Sequence, residues 1–347
     1  MKKICIITPN VLPVPAVKGG AVETLVNNII DENETDKNFD FTVVSIYNKE
    51  AKVVSEKYVN TKFKYINILF NDNIEKLKSK LNGKFILDKV LRKFLKINEI
   101  VYACKILCFV ARQKYDYILI EGGNPFIYKK ILKKFGKEKC ICHLHGNISG
   151  NYEYDKYFRY FIAISKFVKK RFISNNIIDE NRVFVINNGI KLENFGIMLS
   201  EKQKNDEKKK LGINFNEIVI EFCGRTIPEK GIKELVQAFK KINNINKCKL
   251  LIIGNSQFGN NVSTDFDKEL IEESKPVKDK IVFTGYVHNN DLYKLYGVSD
   301  ISVIPSMWEE PSGLVVMEAM ASGLPIITTD SGGIPELVND RMCNYCT

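Results

Sequence analysis

Short runs of β-branched and aromatic residues alternate with helix-like stretches along the whole chain, and this alternation constrains the fold more than any other feature. It is typical of parallel sheets that are covered by helices on both faces. The predicted strands of the first half are residues 2–8, 41–47, 64–68, 115–122, 139–146, 160–165 and 182–189, and those of the second half are 217–224, 249–254, 280–286, 300–306 and 325–330. Each half is therefore expected to form its own doubly wound sheet.

The length of 347 residues suits two α/β domains, each large enough to bury its own core. A polar, glycine-containing connection between Asn187 and Glu201 separates the two sets of strands and is interpreted as the linker. We place the domains at residues 1–190 and 191–347. Ligands of such sheets bind at the carboxyl ends of the strands, so functional motifs are expected there.

The amino terminus, MKKICIITP, has the lysines and the apolar run of a secretory signal. The run is short and a proline-rich loop follows it, so a first buried strand explains it better. No apolar stretch reaches the roughly 18 residues that a membrane-spanning helix needs. We therefore expect a cytoplasmic protein.

Nine cysteines raise the question of disulfides or a metal site. Four of them lie in apolar runs, where a small buried hydrophobic residue explains them: Cys5, Cys104, Cys108 and Cys223. Cys343 and Cys346 have the spacing of a zinc-ligand pair, but no second pair accompanies them. We expect reduced thiols and no metal.

Positive charge is concentrated in the first half of the chain. Residues 1–195 contain 34 Lys and Arg against 20 Asp and Glu, a balance of +14, whereas residues 196–347 have a balance of −3. The densest part, residues 74–114, has 11 basic and 3 acidic residues among apolar ones such as Phe85 and Leu91. It can form a basic amphipathic surface that lies on an anionic membrane, or an ordinary solvated helix face. No nucleic-acid-binding motif accompanies the charge, so nucleic acid is not an expected partner.

The clearest chemical pattern is PSMWEEPSGLVVMEAMASGLPIITTDSGGIPE, in which seven residues separate Glu310 from Glu318. A helix should begin at Gly313 and Leu314, between the two glutamates. The free N–H groups and the positive dipole end at the start of a helix suit a phosphate. Carboxylates at this place can accept hydrogen bonds from sugar hydroxyls.

This segment resembles the large bacterial family of retaining GT-B glycosyltransferases that use nucleotide sugars, known as glycosyltransferase family 4 or glycosyl transferases group 1. The resemblance implies a GT-B fold, with two Rossmann-like doubly wound parallel-sheet domains facing a cleft. It implies that Glu310 approaches the donor sugar and that Glu318 binds the ribose hydroxyls. The amides of Gly313 and Leu314 would bind the diphosphate. Ser312 stands where the family usually has an aromatic residue.

Two further motifs of the second half resemble the same family. FCGRTIPEKG contains two cations, Arg225 and Lys230, which can neutralise a diphosphate. It is similar to the family's GR....KG motif, whose cations hold the departing nucleotide. GYVHNNDLY resembles the loop that receives the base, with the backbone of Tyr286 and Val287 close to it.

In the first half, Gly19 and Gly20 separate the first strand from a helix without forming a dinucleotide fingerprint. They match the family's first loop, which lies beneath the donor diphosphate, and a plain tight turn is the alternative. In CHLHGN, His145 matches the family's HG motif, whose histidine faces the donor sugar. His143 should point to the same face of the strand and is interpreted as a core histidine.

The implied reaction transfers a sugar from a nucleoside diphosphate to a hydroxyl with retention, and the leaving phosphate takes the acceptor proton. No cofactor or metal is expected. A UDP-sugar is the expected donor, with GDP- and TDP-sugars as alternatives. The expected acceptor is a lipid-linked glycan of bacterial surface polysaccharide synthesis, handled at the inner face of the plasma membrane.

Two other functions stay open: a sugar-nucleotide-binding protein without strong catalysis, and a GT-B-fold sugar-nucleotide epimerase. The first is kept because the family continues after GGIPELVND with another strand and a terminal helix, whereas this sequence ends at Thr347. The second domain is therefore expected to be incomplete at its end.

We predict that the protein co-sediments at low salt with liposomes that contain anionic lipid. Added salt should release it, because ions screen the attraction between the basic surface and the lipid headgroups. Liposomes of neutral lipid are the control. Failure to bind the anionic liposomes at low salt would remove the membrane interpretation.

Overall fold

The computed structural model describes residues 1–68, 85–146, 153–242, 245–256, 264–338 and 343–346, with the backbone alone for 85–94 and 343–346. The chain divides into two compact units, Met1–Asn188 and Gly189–Thr347. Each unit contains a parallel β-sheet with helices between successive strands. The prediction of two parallel-sheet α/β domains is confirmed.

The first unit contains seven strands: β1 (Lys2–Ile7), β2 (Phe39–Ile46), β3 (Thr61–Ile66), β4 (Tyr117–Glu121), β5 (Cys140–Leu144), β6 (Tyr160–Ala163) and β7 (Val183–Val185). They pair in the order β3-β2-β1-β4-β5-β6-β7, and each pairing is parallel. The α-helices are α1 (Ala21–Asp36), α2 (Lys49–Ser55), α3 (Phe85–Val110), α4 (Lys129–Phe135), α5 (Tyr154–Tyr157) and α6 (Lys166–Asn175). All seven predicted strands are present, with ends shifted by a few residues.

The second unit contains six strands: β8 (Ile218–Cys223), β9 (Cys248–Ile253), β10 (Ile281–Gly285), β11 (Ile301–Ile304), β12 (Ile326–Thr329) and β13 (Cys343–Cys346). They pair in the order β10-β9-β8-β11-β12-β13. The α-helices are α7 (Leu192–Phe195), α8 (Glu201–Lys210), α9 (Ile232–Phe239), α10 (Asp265–Ser274), α11 (Leu292–Val298) and α12 (Leu314–Ala321). The strand order is that of a doubly wound dinucleotide-type fold.

Both faces of each sheet are covered, which explains why apolar residues occur at successive positions of the central strands. In β1, Cys5 and Ile7 pack into one hydrophobic cluster while Ile6 packs into another. In β8, Val219 and Phe222 likewise belong to different clusters. Alternate residues of a strand point to opposite faces, so a sheet covered on both sides needs apolar residues at every position.

The strand order reverses direction beside the first strand of each unit. In the first unit, β1 lies between β2 and β4, and in the second, β8 lies between β9 and β11. The loops that follow such neighbouring strands leave the sheet toward opposite faces, which opens a crevice at their carboxyl ends. The candidate site residues of both units lie on these loops or immediately beside them.

The structure corrects the expectation that the strand after GGIPELVND is missing. Residues Cys343–Cys346 form β13, which pairs in parallel with β12, Ile326 opposite Cys343. Cys343 and Cys346, the CxxC pair of the sequence analysis, lie in this strand. Their side chains are outside the described part of the chain.

The structure confirms the expected burial of the cysteines only in part. Cys5 is buried and Cys223 partly buried, but Cys104 and Cys108 are exposed, so their interpretation as core residues is wrong. They lie one turn apart on α3, whose other face buries Tyr102 and Ile106.

The basic segment 74–114 falls in large part outside the described side chains, and its membrane role stays a prediction. Among the described residues, no helix is long and apolar enough to cross a membrane.

Gly231 allows the loop after β8 to approach the end of β11. Its φ is +68°, and an added Cβ would lie far inside van der Waals contact with the carbonyl oxygen of Pro305. The Met307 N–H donates to the Glu229 carbonyl oxygen at 2.9 Å across the same approach. This contact sets the position of Lys230 relative to the loop after β11.

We expect Gly231→Ala to destabilise the protein by about 3 kcal/mol, because it combines a left-handed backbone with a clash against a neighbouring chain segment. Gly212→Ala is the matched control, since Gly212 has φ +66° but no atom within 4 Å of an added Cβ. The control should cost only about 1 kcal/mol. Urea unfolding followed by the fluorescence of Trp308, the single tryptophan, measures both. Equal losses would contradict the close approach.

Candidate functional site

Glu310 is the centre of the polar network in the second unit. Its side chain is only 7% exposed and forms an ion pair with Lys230. The Ser306 hydroxyl donates to the same carboxylate oxygen, Oε1, at 2.8 Å. The Lys230 ammonium also lies 5.5 Å from the ring centroid of Trp308, within the range of a cation–π contact. A buried carboxylate needs such partners, because burial without them is strongly unfavourable.

The segment after β12 closes against the backbone of Glu310. The Gly333 N–H donates to the Glu310 carbonyl oxygen at 2.7 Å. An added Cβ on Gly332 would collide with the backbone of Glu309 and Glu310, and its φ of +62° also requires glycine. The DSGG sequence therefore holds the backbone of Glu310 in place from the side of β12.

Helix α12 begins where the sequence predicted, with Gly313 as its N-cap and Leu314 as its first residue. Gly313 has φ +83°, so the chain turns into the helix without a side chain in the way. No side chain caps this helix start. Its first N–H groups are therefore the kind that bind an anion. Ser312 just before it is buried, and its hydroxyl has no hydrogen-bond partner among the described residues.

Glu318 lies one turn into α12 and is held by a tyrosine that the sequence analysis missed. The Tyr296 hydroxyl, from α11, donates to Glu318 Oε2 at 3.0 Å. Burial raises the pKa of Glu318 to about 7. Near neutral pH this carboxyl can therefore both accept and donate hydrogen bonds, which suits a pair of vicinal hydroxyls.

Glu221 is a second buried carboxyl close to Glu318. It lies in the middle of β8 opposite Ser302 of β11, it has no exposed surface, and neither of its oxygens has a hydrogen-bond partner among the described residues. Burial raises the pKa of Glu221 to about 8. The polar side chain of Ser302 beside it acts against this shift without meeting the geometry of a hydrogen bond, and the neighbouring charge of Glu318 adds to it. The sequence analysis placed this residue only in a strand.

The other predicted donor-binding residues of this unit lie on loops at the same edge of the sheet. Arg225 follows β8, and its carbonyl oxygen accepts from the Ile227 N–H at 3.0 Å. Tyr286 and Val287 follow β10, and Val287 packs against the hydrophobic core. The structure thus joins Lys230 directly to Glu310, whereas the roles of Arg225, Tyr286 and Val287 stay predictions.

In the first unit, Gly19 and Gly20 end the loop after β1, with φ +73° and +97°. Gly20 is the N-cap of α1, and an added Cβ there would collide with the Glu23 carboxylate. Glu23 is buried, and burial raises its pKa to about 7. The two glycines therefore permit a tight turn over a buried carboxyl, and their contact with a donor stays a prediction.

His145 follows β5, and its imidazole is only 7% exposed. His143 and His145 point to the same side, as expected from their spacing, with ring centroids 4.1 Å apart. Both rings contact Oε2 of the buried Glu121, His143 through Nδ1 at 2.9 Å and His145 through Nε2 at 2.6 Å. Glu121, at the end of β4, was not singled out from the sequence.

These three side chains form the one group of at least three potential metal ligands found in the described part of the chain, with ligand atoms within 4.8 Å of one another. Their contacts are those of hydrogen bonds: two imidazole nitrogens meet a single carboxylate oxygen. The sequence carried a signal for this cluster only in part. The spacing of the histidines was visible, but the carboxylate comes from another strand, 22 residues from His143.

The fold and the site together define a class of protein. Two parallel-sheet α/β units match GT-B structures: Anabaena HepE, solved in complex with UDP-glucose, has a TM-score of 0.74 at 19% identity, covering 100% of this chain and 85% of that chain. Residues 203–347 match the family described as Glycosyl transferases group 1. The second unit therefore contains a Glycosyl transferases group 1 domain.

Curated relatives agree with this assignment. An uncharacterized glycosyltransferase of Methanocaldococcus jannaschii is 36% identical over 52% of this chain, and the match spans 45% of that protein. Spore coat protein SA of Bacillus subtilis is 26% identical over 99% of this chain and 85% of its own length. A lipopolysaccharide 1,2-N-acetylglucosaminetransferase of Salmonella typhimurium is 24% identical over 74% of this chain and 66% of its own length.

We expect Glu221→Gln to make stability less dependent on pH. The folded-state pKa of Glu221 is about 8, above an unfolded value of about 4.3, so its contribution to stability is present at low pH and is lost as pH rises toward 8. At pH 8.5 the variant should be more stable than the wild type by about 5 kcal/mol, and at pH 4.5 the two should be nearly equal. Urea unfolding at both pH values measures this.

Glu217→Gln is the matched control in the same part of the sheet. Glu217 is also buried, but it accepts from the Asn214 N–H at 2.8 Å and from Lys280 at 3.3 Å. Burial opposes its ionisation, yet these bonds outweigh it and lower its pKa. The control should therefore lose stability at high pH. A loss of stability at pH 8.5 in Glu221→Gln as well would contradict the raised pKa of Glu221.

Proposed function

We propose that this protein transfers a sugar from a nucleoside-diphosphate sugar to a hydroxyl group of a glycan acceptor, with retention at the anomeric carbon. The observation that carries the proposal is the cluster at the carboxyl edge of β8 and β11. There a cation (Lys230) on the loop after β8 pairs with a buried carboxylate (Glu310), and the start of α12 lies on the same loop as Glu310, after β11. This combination meets the needs of a diphosphate that carries a sugar.

The diphosphate is proposed to bind at the start of α12 and beside Lys230. The uncapped N–H groups of Gly313 and Leu314 offer donors to phosphate oxygens. Lys230 and Arg225 supply positive charge that counters the charge developing on the phosphate as the sugar departs. That is electrostatic catalysis, and it needs no covalent intermediate on the enzyme. The departing phosphate would accept the proton of the incoming hydroxyl.

The two glutamates are proposed to bind the two sugars of the donor. Glu310 is already fixed by Ser306 and Lys230, so its carboxylate can meet the transferred sugar in one orientation. Glu318 is fixed by Tyr296, and we assign the ribose hydroxyls to it. In the first unit we assign Gly19, Gly20 and His145 to the donor as well, after the motifs that they resemble.

A UDP-sugar is the proposed donor, because the similar protein HepE was solved in complex with UDP-glucose. We propose a lipid-linked glycan acceptor, since a relative bears the name of a lipopolysaccharide N-acetylglucosaminetransferase. The excess of positive charge in residues 1–195 supports transfer to such an acceptor at the inner face of the plasma membrane.

A donor screen tests the proposal: release of nucleotide from UDP-, GDP- and TDP-sugars, with and without a glycan acceptor. With the donor that gives the fastest release of nucleotide, Lys230→Met and Glu318→Gln should each lower turnover by about 100- to 1000-fold. This is the usual cost of removing a group that stabilises developing charge or orients the donor. Both replacements keep the shape of the side chain, so the melting temperature should change little.

Lys233→Met is the matched control, because Lys233 is a lysine of the same unit whose partner, Glu269, lies outside the proposed site. Its turnover should equal that of the wild type. Near-normal turnover in Lys230→Met or Glu318→Gln would refute the site. Nucleotide binding by calorimetry without any turnover in the wild type would instead favour a binding protein, and an isomerised sugar without acceptor would favour an epimerase.

A further inference from the structure

Glu121 holds two imidazoles at once. It is the last residue of β4 and lies directly opposite His143 in the parallel pairing with β5. Its Oε2 contacts His143 Nδ1 at 2.9 Å and His145 Nε2 at 2.6 Å. The Glu121 side chain has no exposed surface, so no water competes with the rings from outside. The geometry of the two strands brings the three groups together.

The shared oxygen determines where the protons of the two rings lie. A carboxylate oxygen only accepts, so each ring nitrogen that faces it must carry the hydrogen. A neutral imidazole has one N–H, so in a neutral His145 the opposite nitrogen, Nδ1, is left with a lone pair. This nitrogen is buried and has no hydrogen-bond partner among the residues that the structure describes.

The charge state of the cluster agrees with this arrangement. Burial lowers the pKa of His145, which keeps its ring neutral near pH 7. Burial opposes the ionisation of Glu121, but the electrostatic attraction of His143 and the hydrogen bonds from both rings outweigh it and hold the pKa of this carboxyl well below its usual range. Glu23 is close enough to Glu121 for their charges to interact, and burial raises the pKa of Glu23 to about 7.

The ring of His145 is also held sterically. Gly122 follows Glu121 with φ +58°, and an added Cβ would lie 3.3 Å from Cδ2 of His145, closer than ordinary contact. Glycine at this position therefore lets the imidazole pack against the backbone. Since Cδ2 adjoins Nε2 in the ring, this contact supports the edge that faces Glu121 and leaves the Nδ1 edge on the other side.

We propose that Glu121 is a positioning residue that locks His145 in the Nε2–H form, so that the Nδ1 lone pair accepts a hydrogen bond from a hydroxyl group of a sugar substrate. A lone pair attracts a hydroxyl proton and repels a phosphate oxygen, so this side of the site selects sugar over phosphate. The sugar-binding half of the proposal rests on the proposed function. The tautomer of His145 does not.

Nitrogen NMR of the histidine rings tests the lock directly, because the chain has only three histidines. His288 is exposed and serves as the solvent reference, and His143→Asn assigns the other two. In the wild type, Nδ1 of His145 should have the shift of an unprotonated nitrogen and Nε2 that of a protonated one. A protonated Nδ1, or a ring proton on both nitrogens at pH 7, would overturn the proposal.

Glu121→Gln should release the lock, since an amide can present either a donor or an acceptor to each ring. The His145 shifts should move toward a mixture of tautomers, and kcat should fall about 10- to 100-fold with unchanged affinity for UDP. Glu23→Gln is the matched control: it removes the other buried carboxyl of this unit and should leave the His145 tautomer unchanged. Unaltered shifts in Glu121→Gln would contradict the lock.

Ligand titrations separate the source of the hydroxyl. If UDP-glucose but not UDP changes the chemical shift of His145 Nδ1, the hydroxyl belongs to the donor sugar. If that chemical shift changes only when octyl glucoside is added to the UDP complex, the hydroxyl belongs to the acceptor. A shift with UDP alone, or none in any titration, would overturn the sugar contact. Stoichiometric zinc in the purified protein that Glu121→Gln removes would show a metal site and overturn the tautomer lock. If no donor turns over, the wild-type shifts still decide the lock.

Discussion

Glu310 organises the second unit, because its carboxylate and its backbone carbonyl together contact three loops. Lys230 from the loop after β8 and Ser306 after β11 contact the carboxylate, and the Gly333 N–H from the loop after β12 donates to the backbone carbonyl oxygen. A carboxylate that is taken out of water costs several kcal/mol unless it is paired and hydrogen-bonded, so the loops after β8 and β11 are stable together rather than singly. Ligand binding at this edge of the sheet must therefore work with a preformed arrangement, which reduces the entropy lost on binding.

Other buried carboxyls of the protein show how hydrogen-bond partners change the protonation of this group. Glu121 shares one oxygen with two imidazoles and stays ionised, whereas Glu221 has no hydrogen-bond partner among the described residues and binds a proton far more readily. Glu318 lies between these cases, with a single bond from Tyr296. The same residue type thus serves as a fixed charge in one place and as a proton-bearing group in another, and the difference comes from the neighbours that the fold supplies.

The strands were predictable because burial on both faces leaves a continuous apolar run, which periodicity detects. β13 was missed because its sequence, CNYC, lacks β-branched residues, and it forms a strand through its pairing with β12. Cys104 and Cys108 were misjudged because an apolar helix sequence does not reveal which face is turned outward. In the candidate site, the start of α12 was predictable from Gly313 and from the helix pattern. Nothing in the sequence indicated that Ser306 would bind Glu310 or that Tyr296 would bind Glu318.

By itself the sequence determined two parallel α/β sheets and the loops that carry the candidate chemistry, since strand burial, glycine at tight turns and helix starts are local properties of the chain. Only the tertiary structure decided which charges meet. Lys230 and Glu310 are 80 residues apart, and Glu121, at the end of β4, is 24 residues from His145, which follows β5. Parallel pairing brings the carboxyl ends of strands to one edge, and this long-range geometry determines the partners and the protonation of each group.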